Sequence, residues 1–138
     1  MNAYEELKQR HQKELGDFPG FFAFNDRQFK EGMEALGVKD AKELCQGFAG
    51  MVYRKADEEK LKALLKRQSK ETEEAFKDDK TLHDAFVYEL TNHEYCITYD
   101  ETDTLCALGI GRKELMQDER IADIFEQARA DYLDSVEF

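Results

Sequence analysis

The chain has no tryptophan, one proline and three cysteines in 138 residues, and each scarcity removes a class of explanation. Cys45, Cys96 and Cys106 are odd in number and show no C-x-x-C spacing, so neither a disulfide framework nor a zinc knuckle is indicated. Apolar runs extend no further than segments such as Phe21-Phe22-Ala23-Phe24, far short of the ~20 residues a membrane-spanning helix needs. The opening residues Met1-Asn2-Ala3-Tyr4-Glu5-Glu6 carry neither the basic start nor the apolar stretch of a secretory signal. These absences predict a protein of the reducing cytoplasm with no membrane partner.

Positive charge is also missing where it would matter. Lysine and arginine do not occur between Lys80 and Arg112, a stretch that holds Asp84, Glu89, Glu94, Asp100, Glu101 and Asp103. Residues 1–69 carry 13 Lys and Arg against 12 Asp and Glu, whereas residues 70–138 carry 7 against 19. Such an acidic half repels nucleic acid and anionic membranes. It serves either as a solvated face that keeps the chain dispersed or as a surface for a basic partner.

What is present suffices for a core: 41% of residues are hydrophobic, and they recur at regular spacing among the 37% that are charged. The spacing predicts helices over 3–15, 26–36, 57–77, 81–93 and 118–134. Asn25, Thr81 and Asp84 offer capping signals. Gly37 and Gly109, each followed by an apolar residue, read as C-terminal caps. Strands are expected over 48–53, with Phe48 and Val52 on one face and Met51 and Tyr53 on the other, and over 95–99. The fold class expected is α+β, a helix-rich single domain of residues 1–138 with a small two- or three-stranded antiparallel sheet. Leu61, Leu64, Leu65, Phe76, Phe86, Leu90, Ile121, Ile124 and Phe125 are expected to share one core, and the phenylalanines at 18, 21, 22, 24 and 29 to be buried.

Three stretches carry a resemblance. They are Asp17-Phe18-Pro19-Gly20-Phe21-Phe22-Ala23-Phe24 with Gln28-Phe29 and Gly32-Met33, then Gly50-Met51-Val52-Tyr53-Arg54-Lys55, and lastly Tyr88-Glu89-Leu90-Thr91-Asn92-His93-Glu94-Tyr95 with Thr98-Tyr99-Asp100 and residues 103–109. Over nearly its whole length the chain resembles a group of small acidic proteins of Gram-positive bacteria and their phages and mobile elements. That group brings no established activity and no catalytic residues. The resemblance implies a setting on mobile DNA, and with it interference with a host defence protein such as a CRISPR nuclease.

Chemistry-bearing patterns are few. Glu89 and His93 lie one helical turn apart and Glu94 follows, a set that could move protons or bind a metal. However, Ile97 stands where an H-E-x-x-H motif needs its second histidine. His93 also falls on the apolar stripe of its helix, so a structural histidine bonded to Glu89 or to backbone is the plainer reading. Cys106, inside a short apolar helix, reads as core. No phosphate-binding glycine loop, nucleophile elbow or dinucleotide fingerprint occurs, and no cofactor or metal is expected.

The function expected is therefore that of a non-enzymatic binding protein whose acidic surface meets a basic protein partner, possible partners including a nucleic-acid-binding nuclease. Its expected contacts are Glu94, Tyr95, Tyr99, Asp100, Glu101 and Asp103, the two tyrosines acting as aromatic anchors. The competing readings are a metal-dependent or hydrolytic enzyme centred on Glu89, His93 and Glu94, and a regulatory subunit whose acidity serves solubility alone.

Overall fold

Side chains that bond backbone amides open several of the helices in this chain. The computed structural model describes residues 1–47 and 50–136. The elements are α1 (Ala3–Asp17), β1 (Gly20–Phe21), α2 (Asp26–Leu36), β2 (Leu44–Gln46), β3 (Val52–Arg54), α3 (Glu58–Ala75), α4 (Asp79–Asn92), α5 (Tyr95–Thr98), α6 (Thr102–Leu108), α7 (Arg112–Gln117) and α8 (Glu119–Ser135). The fold is thus helix-rich α+β with a three-stranded antiparallel sheet of order β1-β3-β2. Among the described residues, no helix is long and apolar enough to cross a membrane.

Caps explain where the helices begin and stop. Asn25 accepts from the Gln28 amide at 2.8 Å, and the Gln28 side chain accepts from the Phe24 amide at 2.8 Å, so two orphan donors at the start of α2 are satisfied. Gly37 and Gly109 both adopt left-handed backbone, with φ of 70° and 69°. Val38 and Ile110 then bond back to Met33 and Leu105 at 2.9 and 3.0 Å, which is the Schellman arrangement. Two expectations differ. The helix expected over 3–15 continues to Asp17, and α4 is capped by Asp78 rather than by Thr81. The Asp78 carboxylate accepts from both the amide and the hydroxyl of Thr81, so it opens the helix three residues earlier than the Thr81–Asp84 pattern suggests.

The chain divides into two compact units, Arg10–Lys70 and Met1–Gln9 with Glu71–Phe138. The charge asymmetry follows them: Arg10–Lys70 holds 13 Lys and Arg against 10 Asp and Glu, the other unit 7 against 21.

In Arg10–Lys70 the sheet separates two apolar clusters. Val52 pairs with Phe21 and Gln46, so Val52, Phe21 and Leu44 share one face and pack with Phe29, Met33 and Val38. Cys45 and Tyr53 are paired on the other face with Met51, Leu61, Leu65 and Phe18. The alternation expected for Val52 against Met51 and Tyr53 is present, while Phe48 lies outside the described residues. Phe22 and Phe24 were expected in the core and are exposed, Phe24 at 90%. Only Phe21 of that run occupies an inward strand position.

The other unit is helical. Leu82, Phe86 and Leu90 of α4 line its centre and meet Phe125, Ala128 and Tyr132 of α8. Ala85 and Ala128 are fully buried, small enough to let the two helices approach, and the Phe86 and Phe125 rings meet edge to face at 5.1 Å. The nine residues expected in one core are therefore divided: Leu61 and Leu65 belong to a cluster of the sheet unit, Phe76, Phe86, Leu90, Ile121, Ile124 and Phe125 form part of the helical one, and Leu64 is half-buried outside both. Residues 95–99, expected as a strand, form a helical turn. The Ile97, Thr98 and Tyr99 amides bond back to Glu94 and Tyr95, and the Cys96 amide donates to the Tyr132 hydroxyl, so four of the five amides are engaged without a ladder. Cys106 is exposed, because α6 turns Thr104, Leu105 and Leu108 inward instead.

Two substitutions check this packing. Phe86→Ala should cost about 3–5 kcal/mol in urea denaturation. Gly32→Ala should destabilise the protein although alanine is the better helix former, since an added methyl group would overlap the Phe21 ring.

Candidate functional site

Helical spacing places Glu89 on the same inward stripe as Leu82, Ala85 and Phe86, so its carboxylate enters the helical unit with none of its surface exposed. A buried charge needs partners, and α1 supplies two. Tyr4 and Lys8, one turn apart, place a hydroxyl 2.6 Å and an ammonium 2.5 Å from Glu89 Oε1. Asn92 Nδ2 approaches Oε2 at 3.4 Å. His93 Nε2 lies 3.3 Å from the same oxygen, buried but not aligned for a hydrogen bond. The Lys8 ammonium also sits 4.9 Å from the centre of the Tyr88 ring. Burial alone would raise the Glu89 carboxyl, but the bonds from Lys8 and Tyr4 and the Lys8 charge outweigh it and hold it below its ordinary range. The Tyr4 hydroxyl is driven far up, first by burial and then by its bond to Glu89.

The stretch 88–95 is thus largely a structural device. Glu89 and Leu90 are buried, His93 caps α4 by donating its amide to Glu89 O at 2.9 Å, and Tyr95 drops into the core against Tyr132, its ring 6.2 Å away. Tyr95 was expected as an exposed anchor; at 5% exposure it is a core residue instead.

Immediately after it the chain does something less economical. Glu94 and Tyr99 both take left-handed backbone, with φ of 52° and 53°, a conformation that costs a non-glycine residue about 1–2 kcal/mol. Ile97 on α5 is 72% exposed, and Tyr99, which ends the turn, is 60% exposed. The Tyr99 ring touches Tyr95 edge to face at 5.7 Å. Glu94, Asp100 and Asp103 are exposed around this turn, and Glu101 is half-buried.

Asp100 accepts from the Thr102 hydroxyl at 2.6 Å and the Thr102 amide at 2.9 Å, and these bonds hold its carboxyl below the usual range. Arg112, at the start of α7, donates to Glu101 Oε1 at 2.9 Å and to Thr102 Oγ1 at 2.6 Å, and lies 3.5 Å from Asp100. The expected set 94, 99, 100, 101 and 103 is therefore brought to one turn and its flank, without Tyr95.

Sequence reasoning missed Ile97, because alternation made it a strand residue. It also missed Arg112, which lies just past the base-free stretch, and the donors Tyr4 and Lys8, whose i, i+4 spacing says nothing about a carboxylate some 80 residues on.

The chain belongs to a family of unknown function, DUF7659, whose model matches residues 3–131. No curated protein and no solved structure matches it.

The Glu89 cluster yields a pH prediction. Because the folded carboxyl lies below its ordinary value of 4.5, its contribution to stability is complete above that value and is lost as pH falls through the folded one. Glu89→Gln should weaken the protein at pH 7 and flatten the acid limb between pH ~5 and ~3. Glu89→Ala, which strands the Tyr4 hydroxyl and the Lys8 ammonium, should cost about 3 kcal/mol. Urea titrations across that pH range measure both.

Proposed function

We propose that this protein is a non-enzymatic binding module whose surface at residues 94–103 docks on a basic protein. The observation that carries the reading is the turn at α5: Ile97 on it and Tyr99 at its end are held out to solvent, and Glu94 before the turn and Tyr99 itself take strained left-handed backbone. Strain of this kind persists only where the surrounding structure enforces it, and it concentrates at functional sites. An exposed tyrosine is the kind of anchor that interface centres favour. The surrounding carboxylates supply a rim that steers a cationic partner and rejects an anionic one.

A nucleic-acid-handling protein offers such a basic surface. The resemblance to small proteins of phages and mobile elements favours an inhibitor that occupies the groove of a host defence nuclease, a CRISPR effector among them. An enzyme centred on Glu89, His93 and Glu94 has less support, since Glu89 is enclosed and engaged by its own chain while Glu94 faces solvent.

Affinity capture from a CRISPR-carrying host strain, with the protein and its Ile97→Ser/Tyr99→Ser variant side by side, tests the reading. A nucleic-acid-binding protein should be retained by the first and lost by the second, with an association rate that falls as salt rises. Identical retention by both would overturn it. Glu94→Gly should meanwhile raise stability by about 0.5–1 kcal/mol, the left-handed cost less the glycine entropy, as read by thermal melting.

A further inference from the structure

We propose that the outward face of α3 binds the phosphate backbone of a nucleic acid. This goes beyond the reading at residues 94–103 and does not depend on it. Residues 60–70 hold Lys60, Lys62, Lys66, Arg67 and Lys70 and no Asp or Glu, in a chain whose formal charge is −11. Leu61 and Gln68 are buried, and Leu65 packs beside Leu61 against Met51 and Tyr53. The helical period therefore carries Lys62, Lys66 and Lys70, four residues apart, outward on one stripe, and all three are exposed. Arg67 is engaged by Glu14, and Lys62 stands 3.8 and 3.9 Å from Glu58 and Glu59, long for an ion pair. Among the described residues no ion pair engages Lys66 or Lys70.

Dispersal does not account for this stripe. In an acidic chain each lysine lowers the net charge that keeps molecules apart. Like charges one helical turn apart also work against a helix, where opposite signs such as Glu58 and Lys62 support it. The chemistry of the face selects its occupant. A membrane-binding helix lays its apolar face in lipid, and the apolar face of α3 is already packed in the protein. A protein interface sets an aromatic or arginine anchor at its centre, whereas the small exposed residues Ala63 and Ser69 flank this stripe. A phosphate backbone needs point charges and small polar donors alone. The stripe runs about 12 Å along the helix, and one strand of a duplex presents a charge every ~3.4 Å of its axis. Three lysines thus face three or four phosphates. At about 0.15 M salt the screening length is about 8 Å, so carboxylates beyond it repel the strand little while the lysines in contact hold it.

Fluorescence anisotropy of a labelled DNA duplex of about 20 base pairs, titrated with the intact protein at about 0.1 M salt, tests this. Binding should be weak, with Kd on the order of 10⁻⁴ M, and indifferent to base sequence. The logarithm of the association constant should fall with the logarithm of salt at a slope of about −3, the value for three phosphates. Lys62→Gln/Lys66→Gln/Lys70→Gln should weaken binding about tenfold or more. Lys77→Gln/Lys80→Gln/Lys113→Gln, which removes the same charge from exposed positions of the other unit, should change it by less than about twofold. Should the first triple variant lose helical dichroism, Lys66→Gln alone takes its place and should reduce the slope by about one. No binding, equal losses in the two triple variants, or equally tight binding to anionic phospholipid vesicles would overturn the proposal. Salt-sensitive self-association that the first triple variant loses, without DNA binding, would assign the face to a second copy of the chain and overturn it as well.

Discussion

A carboxylate sealed from water must be answered by donors, and in this protein Glu89 is answered by Tyr4 and Lys8. Removing one side of such a cluster is far more damaging than exchanging the whole of it for apolar groups, because the survivor keeps its desolvation cost. The first turns of α1 and the last turn of α4 are therefore committed to each other. That commitment fixes the register of the chain beyond α4: His93 closes the helix over Glu89, Tyr95 enters the core beside Tyr132, and α5 begins where the chain emerges. The turn that exposes Ile97 and Tyr99 is positioned by this interior.

Local chemistry was readable from the sequence, and long-range pairing was not. The Asn25 cap and the Gly37 and Gly109 stops depend on residues a few positions apart, and they appear where their spacing places them. The two glycine stops also share a sequence echo, which their common left-handed cap explains without invoking duplication. By contrast, Tyr-Cys-Ile-Thr-Tyr alternates as a strand would, and period alone cannot tell a short strand from a helical turn. Tertiary contacts decided the matter, since Tyr132 takes the Cys96 amide that a ladder would have used. The strands β1 and β2 are two and three residues long, too short for any periodic signal. Helical period likewise marks Leu61 and Phe86 as buried but does not say that they are buried in different clusters.

The candidate surface was half legible for the same reason. Its carboxylates are a matter of composition, visible as a stretch without a base. Which of them are engaged is a matter of geometry: Asp100 is spent partly on the amide and hydroxyl of Thr102, and Glu101 on Arg112. The aromatic positions were exchangeable on paper, yet Tyr95 and Tyr99 have opposite fates, four residues and one helical turn apart. The core needed one ring against Tyr132, and the left-handed turn at Tyr99 carried the other outward.

Acidity alone would make a poor argument for an interface, because a highly charged surface keeps any protein dispersed. Dispersal, however, is served by any arrangement of exposed acids and asks nothing of the backbone. It gives no reason to hold isoleucine and tyrosine in solvent, each of which works against solubility. Nor does it give a reason to hold Glu94, just before the turn, and Tyr99 itself in left-handed backbone at a cost that glycine would avoid. A chain whose unit carries 21 acids against 7 bases has charge to spare, so the apolar pair is not explained by any shortage of polar surface. On the proposed binding reading, the feature that separates such a face from a solvated one is the exposure of Ile97 and Tyr99 beside a left-handed backbone, and the charge around them would select the partner.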